Sequence, residues 1–250
     1  MKRLVDTHCH IDLYRNYNEV INEIDQRKIA TIAVTNAPSV FRKCCELTAH
    51  SKYIRTALGL HPELAAARRT EIGLFEALAP ETRFVGEVGL DFVRGDAGER
   101  RVQIDVFERI VAVCRQAGDK VLTVHSRKAE QAVLDCFGDE FPGKVILHWY
   151  SGPLRLVEQA LLRGFYFSVN PAMTYSEKGR SIVCALPMDR VLTESDGPFA
   201  QVQGNPAVPQ DVGLTVEYLS KIWKLSPDET ADQIYSNFRK VLATTTGSPD

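Results

Sequence analysis

Short runs rich in apolar and β-branched residues recur along this chain, and each is followed by a stretch with helical spacing. The runs are Arg3–Asp6, Ile29–Thr35, Ile54–Gly59, Phe84–Val88, Val121–Val124, Val145–Leu147, Phe165–Val169 and Val191–Thr193. They show little polar alternation, as expected of strands covered on both faces. Apolar residues three and four apart predict helices over Glu19–Arg27, Val40–Thr48, Thr70–Leu78, Arg101–Gln116, Ala129–Phe137, Leu154–Leu162 and Gly179–Leu186. A final pair is predicted over Val212–Trp223 and Pro227–Leu242, the second opened by the capping box Ser226-Pro227-Asp228-Glu229. Gly118 and Gly164 stand where helices should stop. Eight strand–helix repeats in 250 residues predict an α/β fold, a (β/α)₈ TIM barrel filling 1–250 as a single domain. An open doubly wound sheet satisfies the same alternation, and the length also admits two small domains. The Gly- and Pro-rich stretch Gly197–Pro209 reads as a long functional loop, and the tail Thr244–Asp250 is expected to fray.

Polar residues gather where these strands end. Strand 1 runs into Asp6-Thr7-His8-Cys9-His10, strand 3 into Gly59-Leu60-His61-Pro62, and strand 4 holds Glu87 and leads to Asp91. Strand 5 ends in His125-Ser126-Arg127, strand 6 in His148-Trp149-Tyr150-Ser151, and strand 8 in Glu194-Ser195-Asp196. In barrel enzymes that rim is where active sites are built. His8 and His10 are two apart, so on a strand both imidazoles reach one side while Cys9 points away. Five of the six histidines fall at strand ends; the sixth, His50, ends a predicted helix and reads as a surface residue. Together with Glu87 and Asp196 they form a nitrogen and oxygen donor set suited to Zn²⁺ or Mn²⁺ more than to Mg²⁺ alone, with ligands enough for two divalent ions. Two close ions can activate a water and stabilise the oxygens of a phosphoryl displacement.

Net charge is −2, so no global basic field draws a polyanion, and local basic groups or bound cations would have to do so. Charges at Lys2, Arg3 and Asp6 break any apolar signal core, and no apolar run is long enough to span a membrane. The six cysteines form no C-x-x-C pair and read as free thiols in a reducing cytoplasm.

The blocks Asp6-Thr7-His8-Cys9-His10-Ile11-Asp12, Gly59-Leu60-His61-Pro62, Gly86-Glu87-Val88-Gly89-Leu90-Asp91, His125-Ser126-Arg127, His148-x-x-Ser151-Gly152 and Glu194-Ser195-Asp196-x-Pro198 occur in one order along nearly the whole chain. In these the sequence resembles the TatD family of metal-dependent deoxyribonucleases, within the amidohydrolase-like barrels. Asn237-Phe238-x-x-Val241-Leu242 is similar to that family's closing helix. The resemblance implies that His8, His10 and Asp196 hold one ion, that His125 and His148 hold a second, and that Glu87 bridges them. It implies that His61 contacts the scissile phosphate or a ligand water, that Asp196 also orients or deprotonates the attacking water, and that Asp91 and Glu194 support the ligands. The expected activity is hydrolysis of DNA, single strands or 3′ ends favoured. Trp149-Tyr150, the stretch Phe167–Met173, Ser195 and Gly197 depart from the usual family pattern. These departures resemble the TatD-like component of the Qat anti-phage defence system, which implies other defence-operon proteins as partners.

Each feature has a plainer structural reading. Glu87 could be a core carboxylate paired with arginine, His61 a loop cap, and Trp149 and Tyr150 barrel packing rather than a surface that stacks on bases. Arg94, Arg100, Arg101, Arg127 and Lys128 follow strands 4 and 5 and could hold phosphates or only face solvent; Arg127, beside His125, is the candidate substrate contact together with His61 and Trp149. Two other functions fit the same barrel: hydrolysis of a small amide, ester or nucleotide, and a non-catalytic subunit of a defence complex.

Overall fold

The computed structural model describes residues 3–243. Eight parallel strands alternate with helices: β1 Val5–Cys9, β2 Ala30–Val34, β3 Ile54–Ala57, β4 Phe84–Gly89, β5 Val121–His125, β6 Lys144–His148, β7 Tyr166–Val169 and β8 Val191–Thr193. The helices are α1 Tyr17–Arg27, α2 Pro38–Thr48, α3 Ala65–Arg68, α4 Ile72–Leu78, α5 Ala97–Ala117, α6 Glu130–Phe137, α7 Leu154–Leu162, α8 Pro171–Tyr175, α9 Glu177–Ala185, α10 Val212–Trp223 and α11 Pro227–Leu242.

Parallel ladders join β1 to β3 and β4 to β8 in sequence order, with register shifts between Asp6 and Cys9 and between Val85 and Val88. Two seams close these arcs into a barrel and exclude the open sheet. At the first, Leu58 N–H donates to Phe84 O (3.0 Å) and Gly86 N–H to Leu58 O (2.9 Å). At the second, side chains stitch β8 to β1: Thr7 Oγ1 donates to Thr193 O (3.1 Å) and Thr193 Oγ1 donates to Val5 O. Asp6, fully buried, accepts from both the backbone N–H (2.9 Å) and the hydroxyl (2.6 Å) of Ser195. Above them Asp196 N–H donates to His8 O and His10 N–H to Gly197 O, each at 2.9 Å.

The strands are apolar because helices cover them outside and side chains fill them inside. Val85, Val88, Leu122, Val124, Ile146 and Leu192 are almost wholly buried. Gly89 has a φ of +138°, and a Cβ there would lie 2.0 Å from His125 O, so only glycine lets β4 and β5 close beside the site.

Several boundaries move. β1, β5 and β6 run further than expected and carry His8, His125 and His148 as their own residues rather than in the loops beyond. α5 starts at Ala97, four residues before the expected start, because Asp96 and Glu99 form a reciprocal capping box. α9 begins at Glu177 under a Ser176 cap, and Gly179 lies in its first turn. The short helices α3 and α8 were not expected, and Asn170 caps α8 by accepting from Met173 N–H. The expected long loop Gly197–Pro209 holds a small hairpin, β9 Gln201–Val202 with β10 Asn205–Pro206. The tail Thr244–Asp250 lies outside the described residues.

Candidate metal centre

Glu87, on β4, is 3% exposed and meets no arginine; its two carboxylate oxygens face two different sets of imidazoles. Oε2 lies 3.4 Å from His8 Nε2 and 3.3 Å from His10 Nε2. These two nitrogens are 3.3 Å apart, and each is 3.6 Å from Asp196 Oδ1. Oε1 lies 2.7 Å from His125 Nδ1, 3.0 Å from His148 Nε2 and 3.4 Å from His61 Nε2. The H-x-H spacing on β1 places His8 and His10 together, while the Cys9 sulfur turns away toward Tyr14 and Gly197.

The donors fit a cation. A tetrahedral shell with bonds of about 2.1 Å has ligand-to-ligand edges of about 3.4 Å, and the separation of His8 from His10 and of each from Glu87 and from Asp196, 3.3–3.6 Å, matches it. Bare histidines and acids at such distances would instead have to share protons in a buried space. Burial, reinforced by His148, lowers His8 to about 3. Burial opposes charge on His10 too, but Asp196 and Glu87 outweigh it and raise that group to about 9. Burial alone would raise Glu87; the facing His61 and His148, with the bonds from His10 and His125, hold it well below the usual carboxylate range.

Partners on the outer ring nitrogens sort the histidines. His125 Nε2 is 2.7 Å from Asp91 Oδ2, which can only accept from it, so a proton is fixed there and Nδ1, 2.7 Å from Glu87 Oε1, is the nitrogen that a cation would take. His8 Nδ1 is 2.6 Å from Thr123 Oγ1, and the Glu194 carboxylate lies 3.6 Å from His148 Nδ1. Glu194 is itself held by Ser168, by Asn170 Nδ2 (3.0 Å) and by Trp149 N–H (2.9 Å). Asp91 and Glu194 thus stand behind the His125 and His148 imidazoles. His61 is the opposite case. Its Nδ1 accepts from Glu63 N–H at 3.2 Å, which leaves Nε2 as the N–H that points into the site. His61 offers a donor there rather than a lone pair, while also capping its loop.

A cavity of about 590 Å³ opens above this cluster, lined by Glu87, Asp91, His61, His125, His148 and Asp196 and walled by Arg127 and Trp149. Arg94, Arg100, Arg101 and Lys128 are not among its lining residues; Arg100 is turned to its own loop, donating to Phe92 O at 3.1 Å. Tyr150 is buried, packs edge-to-face on Phe167 and donates to Pro153 O, so it is packing. Trp149 is half-buried, rests on the cluster of Ala200, Val202 and Ala207, and has a left-handed backbone (φ +37°). His50 is exposed after α2. Four lining residues went unnoticed in the sequence: Asn36 after β2, Glu63 and Leu64 after Pro62, and Phe199 after Pro198. Asn36, Leu64 and Phe199 are not metal-binding residue types, and Glu63 falls just past the Gly59–Pro62 block, so nothing in composition marked them. No disulfide links the six cysteines. Among the described residues no helix is long and apolar enough to cross a membrane.

Comparison with known proteins agrees with this geometry. The TatD related DNase family matches residues 5–243. An uncharacterized metal-dependent hydrolase of Methanocaldococcus jannaschii is 28% identical over 244 residues, spanning 94% of this chain and 95% of that protein. The deoxyribonuclease TATDN3 of Homo sapiens is 24% identical, over 96% of this chain and 94% of its own. The crystal structure of the TatD homolog YjjV from Escherichia coli superposes with a TM-score of 0.82 at 23% identity, covering 96% of this chain and 97% of that one. With a closed barrel, a buried donor cluster at its rim and a family match over nearly its full length, the chain belongs to the TatD related DNase family of metal-dependent hydrolases.

Proposed function

We propose that this single-barrel protein hydrolyses phosphodiester bonds in DNA with two divalent cations held on either side of Glu87. One observation carries the reading: the two oxygens of a single buried carboxylate face separate histidine sets, at 3.3–3.4 Å on one side and 2.7–3.4 Å on the other. His8, His10 and Asp196 would hold the first cation, and His125 and His148 the second. The nitrogen and oxygen donors favour Zn²⁺ or Mn²⁺ over Mg²⁺. Bound cations supply an activated water and neutralise charge on the phosphoryl oxygens.

The chain's own groups do the rest. Asp196, at the cavity wall, orients or deprotonates the attacking water. His61, with its proton on Nε2, donates to an oxygen of the scissile phosphate. Arg127 attracts the phosphate backbone, which the net charge of −2 cannot do. Trp149 offers a face at the cavity wall to the substrate. The deoxyribonuclease name of the human relative supports DNA as the substrate class.

The test begins with metal content in protein purified without chelator, expected at about two ions per chain. Cleavage of single-stranded DNA should then be lost in His8→Ala, Glu87→Ala and Asp196→Ala variants that remain folded. Full cleavage by any of them, or turnover of small amides with none of DNA, would overturn the reading. The resemblance of Trp149-Tyr150 and Phe167–Met173 to a defence-system component extends the proposal to action beside other defence-operon products. Phage protection that survives Glu87→Gln would remove that extension.

A further inference from the structure

Phe199 is out of place for an apolar residue. It leaves 57% of its surface exposed at the mouth of the cavity. It is nonetheless rigidly placed. Phe199 N–H and Ala200 N–H both donate to Asp196 O at 2.9 Å, and Ala207 N–H donates to Ala200 O at 2.9 Å, tying the turn to the hairpin β9–β10. Ala200 and Ala207 beneath it are buried. The phenyl ring stands edge-to-face on His10, with centroids 4.9 Å apart and planes at 89°. The rest of the ring is left open beside the donor cluster.

A second observation points to a ligand in the same mouth. Asn36 follows β2, and its backbone carbonyl accepts from His61 N–H at 3.0 Å; Asn36 and Phe199 both line the cavity. The Asn36 side-chain oxygen is buried against the cavity and has no hydrogen-bond partner among the described residues. An open aromatic face and an unmet amide oxygen on residues that line one cavity suit a flat group with polar edges. Across the cavity Arg127 provides the positive charge for a phosphate. The cavity, about 590 Å³, is of the size that holds a small-molecule ligand.

We propose that Phe199 is a specificity residue that stacks on an unpaired nucleobase of the nucleotide being cut. This rests on the nuclease reading above and adds to it a residue that selects the substrate. Every base has a π-face, so such a contact favours unstacked bases over paired ones with little regard to sequence. Its loss should appear in KM more than in kcat, because the ring touches the base and not the reacting phosphorus.

The experiment compares cation-loaded wild type with Phe199→Ala, Phe199→Leu and Phe199→Trp on two single-stranded oligonucleotides. One carries normal bases, and the other has an abasic tetrahydrofuran unit at the nucleotide to be cut. Base–aromatic stacking is worth roughly 5- to 150-fold per base. Wild type should prefer the normal substrate about tenfold in kcat/KM, through KM. Phe199→Ala should remove most of that preference, Phe199→Leu should not restore it, and Phe199→Trp should. Equal loss on both substrates, or a preference that survives in Phe199→Ala, would overturn the stacking role while leaving the nuclease intact. No cleavage of either oligonucleotide by wild type would overturn both.

Discussion

The two sides of Glu87 differ in how far they are shut from water. On the Oε2 side, the side chains of His8, His10 and Asp196 are at most 5% exposed. On the Oε1 side, His148 is as buried, at 5%, but His125 and His61 are 15% and 16% exposed and open into the cavity. The supports differ too. The buried side stands on the β8–β1 seam, closed by the threonine stitch and the Asp6–Ser195 bonds. The open side stands on the backbone-paired β4–β5–β6 ladder, whose register shifts between Val85 and Val88, with Asp91 and Glu194 behind its imidazoles. A cation held in a closed, matched cage exchanges slowly, whereas one at a cavity floor can gain and lose ligands as substrate comes and goes. On the two-cation proposal, the buried side would be the retaining position and the open side the one that meets the phosphate.

Glu87 is shared, so changing it removes the distinction altogether. Glu87→Ala should lower cleavage by at least about 10³-fold and lower cation content on both sides, read by metal analysis and turnover. Retention of one tightly held ion would show that His8, His10 and Asp196 form a site without the bridge.

The protonation of the cation-free cluster gives the next contrast. On the buried side, Asp196 and Glu87 overcome burial and raise His10 to about 9, while His8 is lowered to about 3. On the open side, both His125 and His148 are raised: burial opposes this, but Asp91 and Glu87 act on the first and Glu87 and Glu194 on the second. A raised imidazole stabilises the cation-free fold fully below its unfolded value and ceases to do so as pH climbs through the folded one. For His10 that window is from the ordinary 6.5 to about 9. Within it a cation must displace that proton, so affinity rises with pH, by up to about tenfold per unit for each proton released. The buried side should release one proton and the open side two, making the open side the steeper, by up to about a hundredfold per unit. Calorimetry in buffers of different ionisation heat checks this, and equal slopes on the two sides would remove the contrast.

Asp91 sharpens the comparison further, because it supports the open side alone. Asp91→Asn keeps an acceptor oxygen for His125 Nε2 but removes its charge, so open-side affinity should fall about tenfold, near the lower end for such supporting groups. Competition titration should show the buried side unchanged, and an equal fall on both sides would mean that the two are coupled through Glu87.

The parts of this arrangement legible in the sequence are those set by local spacing. His8 and His10 face one way because a strand has a period of two, and the polar strand ends mark the rim. The Asp96–Glu99 capping box was equally local, but apolar periodicity sets in later and drew the expected start of α5 to Arg101. The hairpin turn at Gln203-Gly204, with φ of +52° and +81°, hid inside a Gly- and Pro-rich stretch that reads as loop. What spacing does not carry is pairing across the barrel. That His61 points a proton inward depends on the backbone of Glu63, and the exposure of Phe199 depends on the turn made after Asp196. Asn36 lines the cavity only because β2 is brought beside β1.

Thr7 and Thr193 are the clearest such pair, since 186 residues separate them and neither residue type signals a site. Thr193→Val keeps the shape and removes the hydroxyl that donates to Val5 O, leaving that buried carbonyl short of a partner. The cost should be about 1–2 kcal/mol, or a fall in Tm of about 3–6 °C for a chain of this size. Because β8 leads directly to Asp196 and β1 holds His8, the same change should weaken buried-side cation affinity by a few-fold and leave the open side as it was. Thermal melts of the cation-free protein separate the fold from the site. An unchanged Tm would show that the backbone bonds from Asp196 to His8 and from His10 to Gly197 hold the seam by themselves. The buried character of that side would then owe nothing to the threonines.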